Sequence, residues 1–173
     1  SAIDTFKDPA RTIYHNENGP ACIAYHDNGK VGLERYYIDG KLYRDNDLPA
    51  YVAYHDDGSL LIQKWFKNDE LHRVGNPAEI TYNKDGSLSC ETWFQDDEEH
   101  REDGPAHIDY GQNPKDTKRL YLIKGSIISK AKYLKKYLPL EYEKYLSEKK
   151  YLIDYKKYKI VAKFGKRIVL EEV

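Results

Sequence analysis

The sequence predicts a mainly β fold of tandem antiparallel β-hairpin repeats, which form a single curved sheet or ribbon. A C-terminal helical cap and a short terminal hairpin follow. Three observations predict the repeat: Pro-Ala pairs recur at steps of 29, 28 and 28 residues, a tyrosine stands five residues after each proline, and an aromatic residue stands sixteen after it. The pairs begin at Pro20, Pro49, Pro77 and Pro105. Sequence periods of this length are typical of architectures in which each unit packs mainly on its neighbours.

Each copy opens with a strand that starts at the Pro-Ala pair. In the first copy Ala21, Ile23 and Tyr25 alternate with other residues and share one face, which is the period-2 pattern of a half-buried strand. The later copies repeat this face as Ala50/Val52/Tyr54, Ala78/Ile80/Tyr82 and Ala106/Ile108/Tyr110. An Asx-Gly turn follows in the first three copies, where a tight hairpin requires positive φ. We therefore expect the four tyrosines to form a column.

The returning strand of each copy carries aromatic residues on both faces. One face holds Val31, Leu33 and Tyr37 in the first copy, and the other holds the aromatic that follows each proline by sixteen residues. We call those aromatics the aromatic ladder: Tyr36, Trp65, Trp93 and Tyr121. A one-layer sheet can bury only one of its faces, so an aromatic strip on the other would be an exposed partner surface. We predict the aromatic ladder as the partner-binding site, with internal packing of the ladder as the alternative.

The single 29-residue step locates an insertion. Every copy places its aromatic 16 residues after its proline, so the extra residue lies between Tyr36 and Pro49, most simply in residues 44–48. Insertions accumulate where backbone is exposed, and this segment is therefore predicted to be a surface turn.

The C-terminal region changes pattern. Tyr and Leu recur there at three- and four-residue steps, which predicts amphipathic helices near 127–137 and 140–152, with Pro139 ending the first or opening the second. Residues 158–164 and 167–170 favour a closing hairpin. The predicted organisation is an N-terminal lead-in over 1–13, four repeats over 14–125 and a basic Lys/Tyr-rich region over 126–173.

The repeat region and the C-terminal region also differ in net charge. Residues 1–111 contain 11 Lys/Arg and 22 Asp/Glu, a net charge of −11, whereas residues 112–173 contain 17 and 7, a net charge of +10. The acidic surface predicted to face a protein partner comprises Asp56, Asp57, Asp96, Asp97, Glu98 and Glu99. The lysines predicted as possible nucleic-acid contacts are Lys132, Lys135, Lys136, Lys149, Lys150, Lys156 and Lys157. Lysine suits phosphate contact, whereas base readout favours arginine. Capping of the repeats is the other interpretation of this region.

No catalytic residue, metal site or cofactor is predicted, and the chain is interpreted as a non-enzyme with no small-molecule substrate. His15, His72 and His100 share a repeat position, with Arg44 in that place in the copy with the insertion. They are interpreted as structural, because hairpins about 10 Å apart cannot share a metal ion. The Asp-rich turns are interpreted as turn chemistry rather than calcium sites. Cys22 is interpreted as a packed strand residue.

Two cysteines, no long apolar run and no apolar leader indicate a soluble cytoplasmic protein without membrane contact.

The order of polar His loop, strand ending in Tyr, Asp-Gly turn and Trp/Tyr strand resembles the MORN repeat, especially its variant forms. The best match runs from residues 70–73 through 93–96. The string at 100–106, His-Arg-Glu-Asp-Gly-Pro-Ala, also resembles repeats in proteins of large bacteriophages and giant viruses. The resemblance implies a curved antiparallel sheet that serves as a scaffold or binding surface, and it implies no chemistry.

The resulting functional hypothesis is a protein–protein interaction module of a phage or virus that binds and modulates or inhibits a host factor, for instance a defence component, in the host cytoplasm. The alternative is a nucleic-acid-binding protein that uses the basic C-terminal region.

Overall fold

A computed structural model describes the backbone of residues 2–4, 14–111, 113–164 and 167–172, and the side chains of 14–111, 113 and 115–149. The chain divides into two compact units, Ser1–Ile128 and Ser129–Val173.

The first unit contains a ten-stranded antiparallel sheet, in which the strands lie side by side in the order in which they occur along the chain. Its strands are β1 (Ala2–Asp4), β2 (Cys22–Tyr25), β3 (Val31–Arg35), β6 (Tyr51–Tyr54), β7 (Leu60–Lys64), β10 (Glu79–Tyr82), β11 (Leu88–Thr92), β14 (His107–Asp109), β15 (Lys118–Ile123) and β16 (Ser126–Ile128). Three short ribbons complete the copies: β4 (Tyr37–Ile38) with β5 (Lys41–Leu42), β8 (Phe66–Lys67) with β9 (Glu70–Leu71), and β12 (Phe94–Gln95) with β13 (Glu98–Glu99). A 3₁₀ turn spans Pro114–Asp116.

The predicted hairpin repeat is confirmed. Each of the four copies supplies two consecutive antiparallel strands to the sheet. Equivalent residues pair directly in every copy: Ile23 with Glu34, Val52 with Gln63, Ile80 with Glu91, and Ile108 with Arg119. The chain also pairs between copies at the same level, since Glu34 lies opposite Val52. Because directly paired residues point to the same side of a sheet, equivalent side chains form rows across it.

The second half of each copy differs from the single predicted sheet. The main strand ends just before Tyr36, Trp65 or Trp93, and the chain then forms one of the short ribbons. The N–H of each of these aromatics bonds to the alanine carbonyl of the next copy, as from Trp65 to Ala78 at 2.8 Å. Tyr37 therefore lies in the β4–β5 ribbon and not on the second face of the main sheet.

The alanine of each Pro-Ala pair forms the core of the repeat. Ala21, Ala50, Ala78 and Ala106 are all completely buried. The Ala50 N–H bonds to the Lys64 carbonyl of its own copy, and the Ala50 carbonyl accepts from Tyr36 of the preceding copy. One residue thus connects two copies through its backbone, at a point where its small side chain is fully enclosed.

The second unit contains two helices and a hairpin. Helix α1 (Lys130–Tyr137) begins after Ser129, whose hydroxyl accepts a hydrogen bond from the Lys132 N–H. Helix α2 (Pro139–Lys157) opens with Pro139, where the missing N–H is harmless. The predicted first helix began too early, because residues 126–128 pair with β15. The predicted terminal hairpin is confirmed as β17 (Tyr158–Phe164) with β18 (Arg167–Glu172).

Over the described part of the chain, neither helix combines the length and the apolar character needed to cross a membrane.

Candidate partner-binding clefts

An arginine covers the aromatic ladder residue in three of the four copies. The guanidinium carbon lies 3.7 Å from the ring centre in the Arg44–Tyr36 pair, 3.8 Å in Arg73–Trp65 and 3.9 Å in Arg101–Trp93. The same guanidiniums donate through Nη1 to the carbonyls of Pro49, Pro77 and Pro105 at 3.5, 3.3 and 3.4 Å. Stacking and hydrogen bonding together fix each arginine in one orientation. We call these the arginine–aromatic pairs.

The aromatic ladder is mostly enclosed. Tyr36 is 9% exposed and Trp65 7%, while Trp93 and Tyr121 are half-buried. Ring contact by a partner stays a prediction. A partner at Trp65 would meet the covering guanidinium before the ring face.

The insertion gives the second copy contacts that the third lacks. Asp47 accepts two hydrogen bonds from Arg73, one from Nε at 2.8 Å and one from Nη2 at 2.7 Å. The Arg73 guanidinium thereby lowers the pKa of the Asp47 carboxyl. The Asp47 carbonyl also accepts from Trp65 Nε1 at 2.9 Å. The next loop is one residue shorter, and there Trp93 Nε1 is buried with no hydrogen-bond partner within the described residues. The sequence revealed the extra residue but not its contacts.

Three clefts lie beside the arginine–aromatic pairs, one for each. The largest, about 800 Å³, has Trp65 among its lining residues and lies between residues 43–48 and 72–74. A cleft of about 250 Å³ includes Tyr36, and one of about 340 Å³ includes Trp93. We call them the central, first and third clefts. The central and third clefts fall within the range of 300–1,000 Å³ that is usual for binding sites, and the first cleft is slightly smaller.

The central cleft combines exposed apolar side chains with cations. Val74 is 80% exposed and Leu48 43% exposed, and both line it. Lys41 and Lys67 also line it, are exposed, and form no ion pair with any described residue. Four cations (Lys41, Arg44, Lys67 and Arg73) and two carboxylates (Asp39 and Asp47) line this cleft. The central cleft is thus locally cationic within an acidic region.

The repeated histidines bond to turns in the following copy. The Nδ1 atoms of His15, His72 and His100 accept backbone N–H groups from Asp39, Asp96 and Lys124 at 3.0, 3.3 and 3.1 Å. The three turn residues have φ of 51°, 52° and 49°. These contacts support the structural interpretation of the histidines. In all three pairs the histidine and the turn residue are 24 residues apart, and this constant separation was the signal of the contact in the sequence.

One detail of the histidine alignment was wrong. Tyr43, not Arg44, occupies the histidine position in the copy with the insertion. The Tyr43 N–H bonds to the Tyr36 carbonyl, as the His72 N–H bonds to that of Trp65. Arg44 aligns with Arg73, because the extra residue lies after it.

The predicted acidic residues occupy two different turns. Asp56 and Asp57 lie in the β6–β7 turn, where Lys84 lowers the pKa of Asp56 through an ion pair at 2.7 Å, and hydrogen bonds from Ser59 lower that of Asp57. Asp96, Asp97, Glu98 and Glu99 belong to the β12–β13 ribbon and its turn. Asp97 accepts the Leu71 N–H of the preceding copy at 2.6 Å. Several of these carboxylates therefore stabilise the repeat itself.

The tyrosine column connects neighbouring copies. The hydroxyl of Tyr54 donates to Glu34 at 3.0 Å and that of Tyr82 to Gln63 at 2.9 Å, and Tyr110 donates to Glu91. Burial, and then the Glu34 carboxylate, raises the pKa of Tyr54 to about 12. Tyr36 also donates to Glu34, so the column and the ladder share a face. The expected second aromatic face of the main sheet is wrong for a different reason, because Tyr37 lies in the β4–β5 ribbon.

Cys90 and His107 form a pair that sequence reasoning missed. The thiol lies 3.7 Å from Nε2 of the imidazole, because β11 and β14 pair at Thr92 and His107. Burial raises the pKa of the Cys90 thiol, which disfavours the thiolate that a nucleophile needs. The residues described in full contain no group of three or more His, Cys, Asp or Glu side chains that could hold a metal ion.

The predicted nucleic-acid contacts lie in the second unit. Lys132, Lys135 and Lys136 are exposed on α1, and Lys149 is exposed on α2. The side chains of Lys150, Lys156 and Lys157 lie outside the described residues.

The chain matches no family model, and neither a curated protein nor a solved structure is significantly similar to it.

Proposed function

We propose that this chain is a non-enzymatic protein-binding module whose partner docks into the three clefts, with the central cleft as the main contact. The observation that carries the proposal is the central cleft itself, where a fixed arginine–aromatic pair lies beside the exposed side chains of Leu48 and Val74. Arginine and aromatic side chains are enriched in binding hot spots, and exposed apolar side chains beside them gain from being covered.

Preorganisation of the central cleft supports this proposal. Arg73 is held by Trp65, by the Pro77 carbonyl and by Asp47 at the same time. A side chain that is already ordered loses little rotamer entropy when a partner binds. Exposed Val74, by contrast, gains from being covered.

The resemblance to viral repeat proteins supports a host factor as the partner. In this proposal the module modulates or inhibits that factor, for instance a defence component, in the host cytoplasm. The clefts leave the acidic turns free to steer a basic partner during encounter.

Capture from a host lysate by the immobilised full chain tests the proposal. Val74→Glu removes the apolar contact and places a negative charge in the central cleft, and it should abolish capture of the specific partner. Leu140→Glu is the matched control, since Leu140 is 83% exposed in the second unit. Both variants should keep the circular dichroism spectrum of the parent. Equal capture by the parent and by Val74→Glu would contradict docking in the central cleft.

Nucleic-acid binding by the basic region is the second candidate function. It is favoured by the net charge of +10 over residues 112–173 and by the exposure of Lys132, Lys135, Lys136 and Lys149. Lysine contacts to phosphate weaken steeply as salt rises, so binding should be much tighter at about 50 mM salt than at about 200 mM. No binding of single- or double-stranded DNA or RNA at the lower salt concentration would end this candidate.

A further inference from the structure

Neighbouring clefts share lining residues and therefore lie next to one another. Arg44 lines both the first and the central cleft, and Arg73 lines both the central and the third. Any ligand longer than one cleft therefore passes an arginine between successive positions. We call the three clefts together the loop groove.

The spacing of the loop groove matches an extended peptide. Each copy adds two strands to the sheet, so equivalent points recur about every 9.6 Å. A polyproline II segment advances about 9.3 Å per three residues. Side chains three residues apart on such a peptide therefore meet equivalent positions of successive clefts.

The charge of the central cleft selects the side chains of that peptide. Asp47 already engages Arg73, whereas Lys41 and Lys67 have no carboxylate partner within the described residues. Two exposed lysines in one cleft repel each other and gain from an incoming carboxylate. Leu48 and Val74 supply an apolar contact in the same cleft.

The rest of the surface argues against a nucleic acid at this site. Residues 1–111 carry a net charge of −11, which repels a long polyanion. A short acidic peptide within the cleft interacts mainly with the nearest cations, because charges beyond about 8–10 Å are screened at physiological salt.

From these observations we propose that the loop groove binds an extended protein segment that places acidic and apolar side chains in the central cleft. The carboxylates meet Lys41 and Lys67, and the apolar side chains cover Leu48 and Val74. This inference rests on the proposed function and specifies the chemistry of its partner.

Fluorescence anisotropy with the full chain tests the inference. The probe is a fluorescein-labelled nine-residue peptide of three Leu-Glu-Pro units, measured at about 50 mM salt, where surface charges act most strongly. Peptides with Gln, with Lys in place of Glu, or with Ser in place of Leu serve as comparisons. We expect the Glu peptide to bind at least about fivefold more tightly than the Gln peptide, and more tightly still than the Lys and Ser peptides.

Reversing the charges of the central cleft shows whether the peptide binds there. The double substitution Lys41→Glu with Lys67→Glu should weaken binding of the Glu peptide about tenfold and strengthen that of the Lys peptide. Lys132→Glu with Lys149→Glu makes the same charge change in the second unit and should leave both affinities unchanged. The inference is overturned by equal affinity for Glu and Gln peptides, by no binding of either, by insensitivity to the charge reversal, or by an oligothymidylate that binds the groove more tightly than the Glu peptide.

The two proposals fail separately. If Val74→Glu abolishes partner capture but the Glu peptide does not bind, the docking site stands and the acidic chemistry is wrong. If Val74→Glu leaves partner capture unchanged, the docking site itself is wrong.

Discussion

The Arg73 guanidinium lies 3.8 Å from the centre of the Trp65 ring, although the two residues belong to different loops of the repeat. Three further contacts use the same guanidinium: one with the Pro77 carbonyl and two with the Asp47 carboxylate. A planar group with five donors can make all four contacts at once, and an ammonium cannot. Arg73 therefore fixes both the entry to the next copy, at Pro77, and the loop of the preceding copy, at Asp47.

Arg73→Lys should lower the free energy of unfolding by about 1–2 kcal/mol, because the stack and the fork of hydrogen bonds are lost while the charge stays. Urea denaturation measures the change. Arg35→Lys is the matched control, since its guanidinium lies 5.7 Å from the Tyr51 ring and should cost less. Equal costs for the two substitutions would show that the fork geometry of Arg73 contributes nothing.

Trp65→Phe and Trp93→Phe should differ although they make the same chemical change. Trp65 Nε1 donates to Asp47, whereas the buried Nε1 of Trp93 finds no acceptor within the described residues. Removing a satisfied donor costs about 1 kcal/mol in addition to the smaller ring, while removing an unsatisfied buried donor relieves a penalty. Thermal unfolding should rank Trp65→Phe as the more destabilising variant, and the reverse order would contradict this account.

The sequence predicted the hairpins because their cause is local. Alternation from Ala21 to Tyr25 and a glycine with positive φ at Gly29 specify a strand and a turn without reference to the rest of the chain. The repeat period then placed equivalent residues in rows. The main sheet, the tyrosine column and the helices of the second unit followed from these patterns.

The clefts could not be predicted in the same way. Their residues are brought into contact by the path that the chain takes between strands, and the sequence pattern does not specify that path. Nothing in the spacing of Arg44 and Tyr36 shows that the chain leaves the sheet at the aromatic and returns the arginine over its ring. For the same reason the short ribbons were merged with the main sheet in the sequence prediction. The sequence pattern located the insertion, but only the structure shows the central cleft that the insertion borders.

The copy with Tyr43 offers a test of the histidine contacts. At this position His72 and His100 accept the N–H of a turn residue in the left-handed region, and the equivalent turn residue for Tyr43 is Asn68, with φ of 53°. Tyr43→His should supply the missing acceptor and raise the free energy of unfolding by about 0.5–1 kcal/mol.

Tyr43→Phe is the control for Tyr43→His, since both substitutions remove the hydroxyl that donates to Asp45. The comparison should be made at pH 8, where histidine is neutral and can accept through Nδ1. Equal stability of the two variants would show that the contact does not stabilise the turn. His100→Phe makes the opposite change and should lower stability by a similar amount.

The tyrosine column predicts how stability responds to alkaline pH. The pKa of Tyr54 is about 12 in the folded chain, against 10.0 for an unperturbed tyrosine, because burial and the Glu34 carboxylate disfavour the phenolate. Tyr110, beside Glu91, likewise has a pKa of about 12. Between these pH values the unfolded chain loses protons that the folded chain keeps, so stability falls as pH rises from 10 to 12. Below pH 10 the contribution is fully present.

Tyr54→Phe should therefore have two effects. It should lower the free energy of unfolding at pH 7 by about 1 kcal/mol, through loss of the hydrogen bond to Glu34, and it should make the decline between pH 10 and 12 shallower. Urea denaturation at intervals across this range measures both. Tyr25→Phe is the matched control, because Tyr25 occupies the equivalent position in the first copy. Glu34 lies in the same hairpin as Tyr25, whereas it lies in the hairpin that precedes Tyr54. A decline as steep in Tyr54→Phe as in Tyr25→Phe would mean that the Tyr54–Glu34 contact does not determine the alkaline limit of the fold.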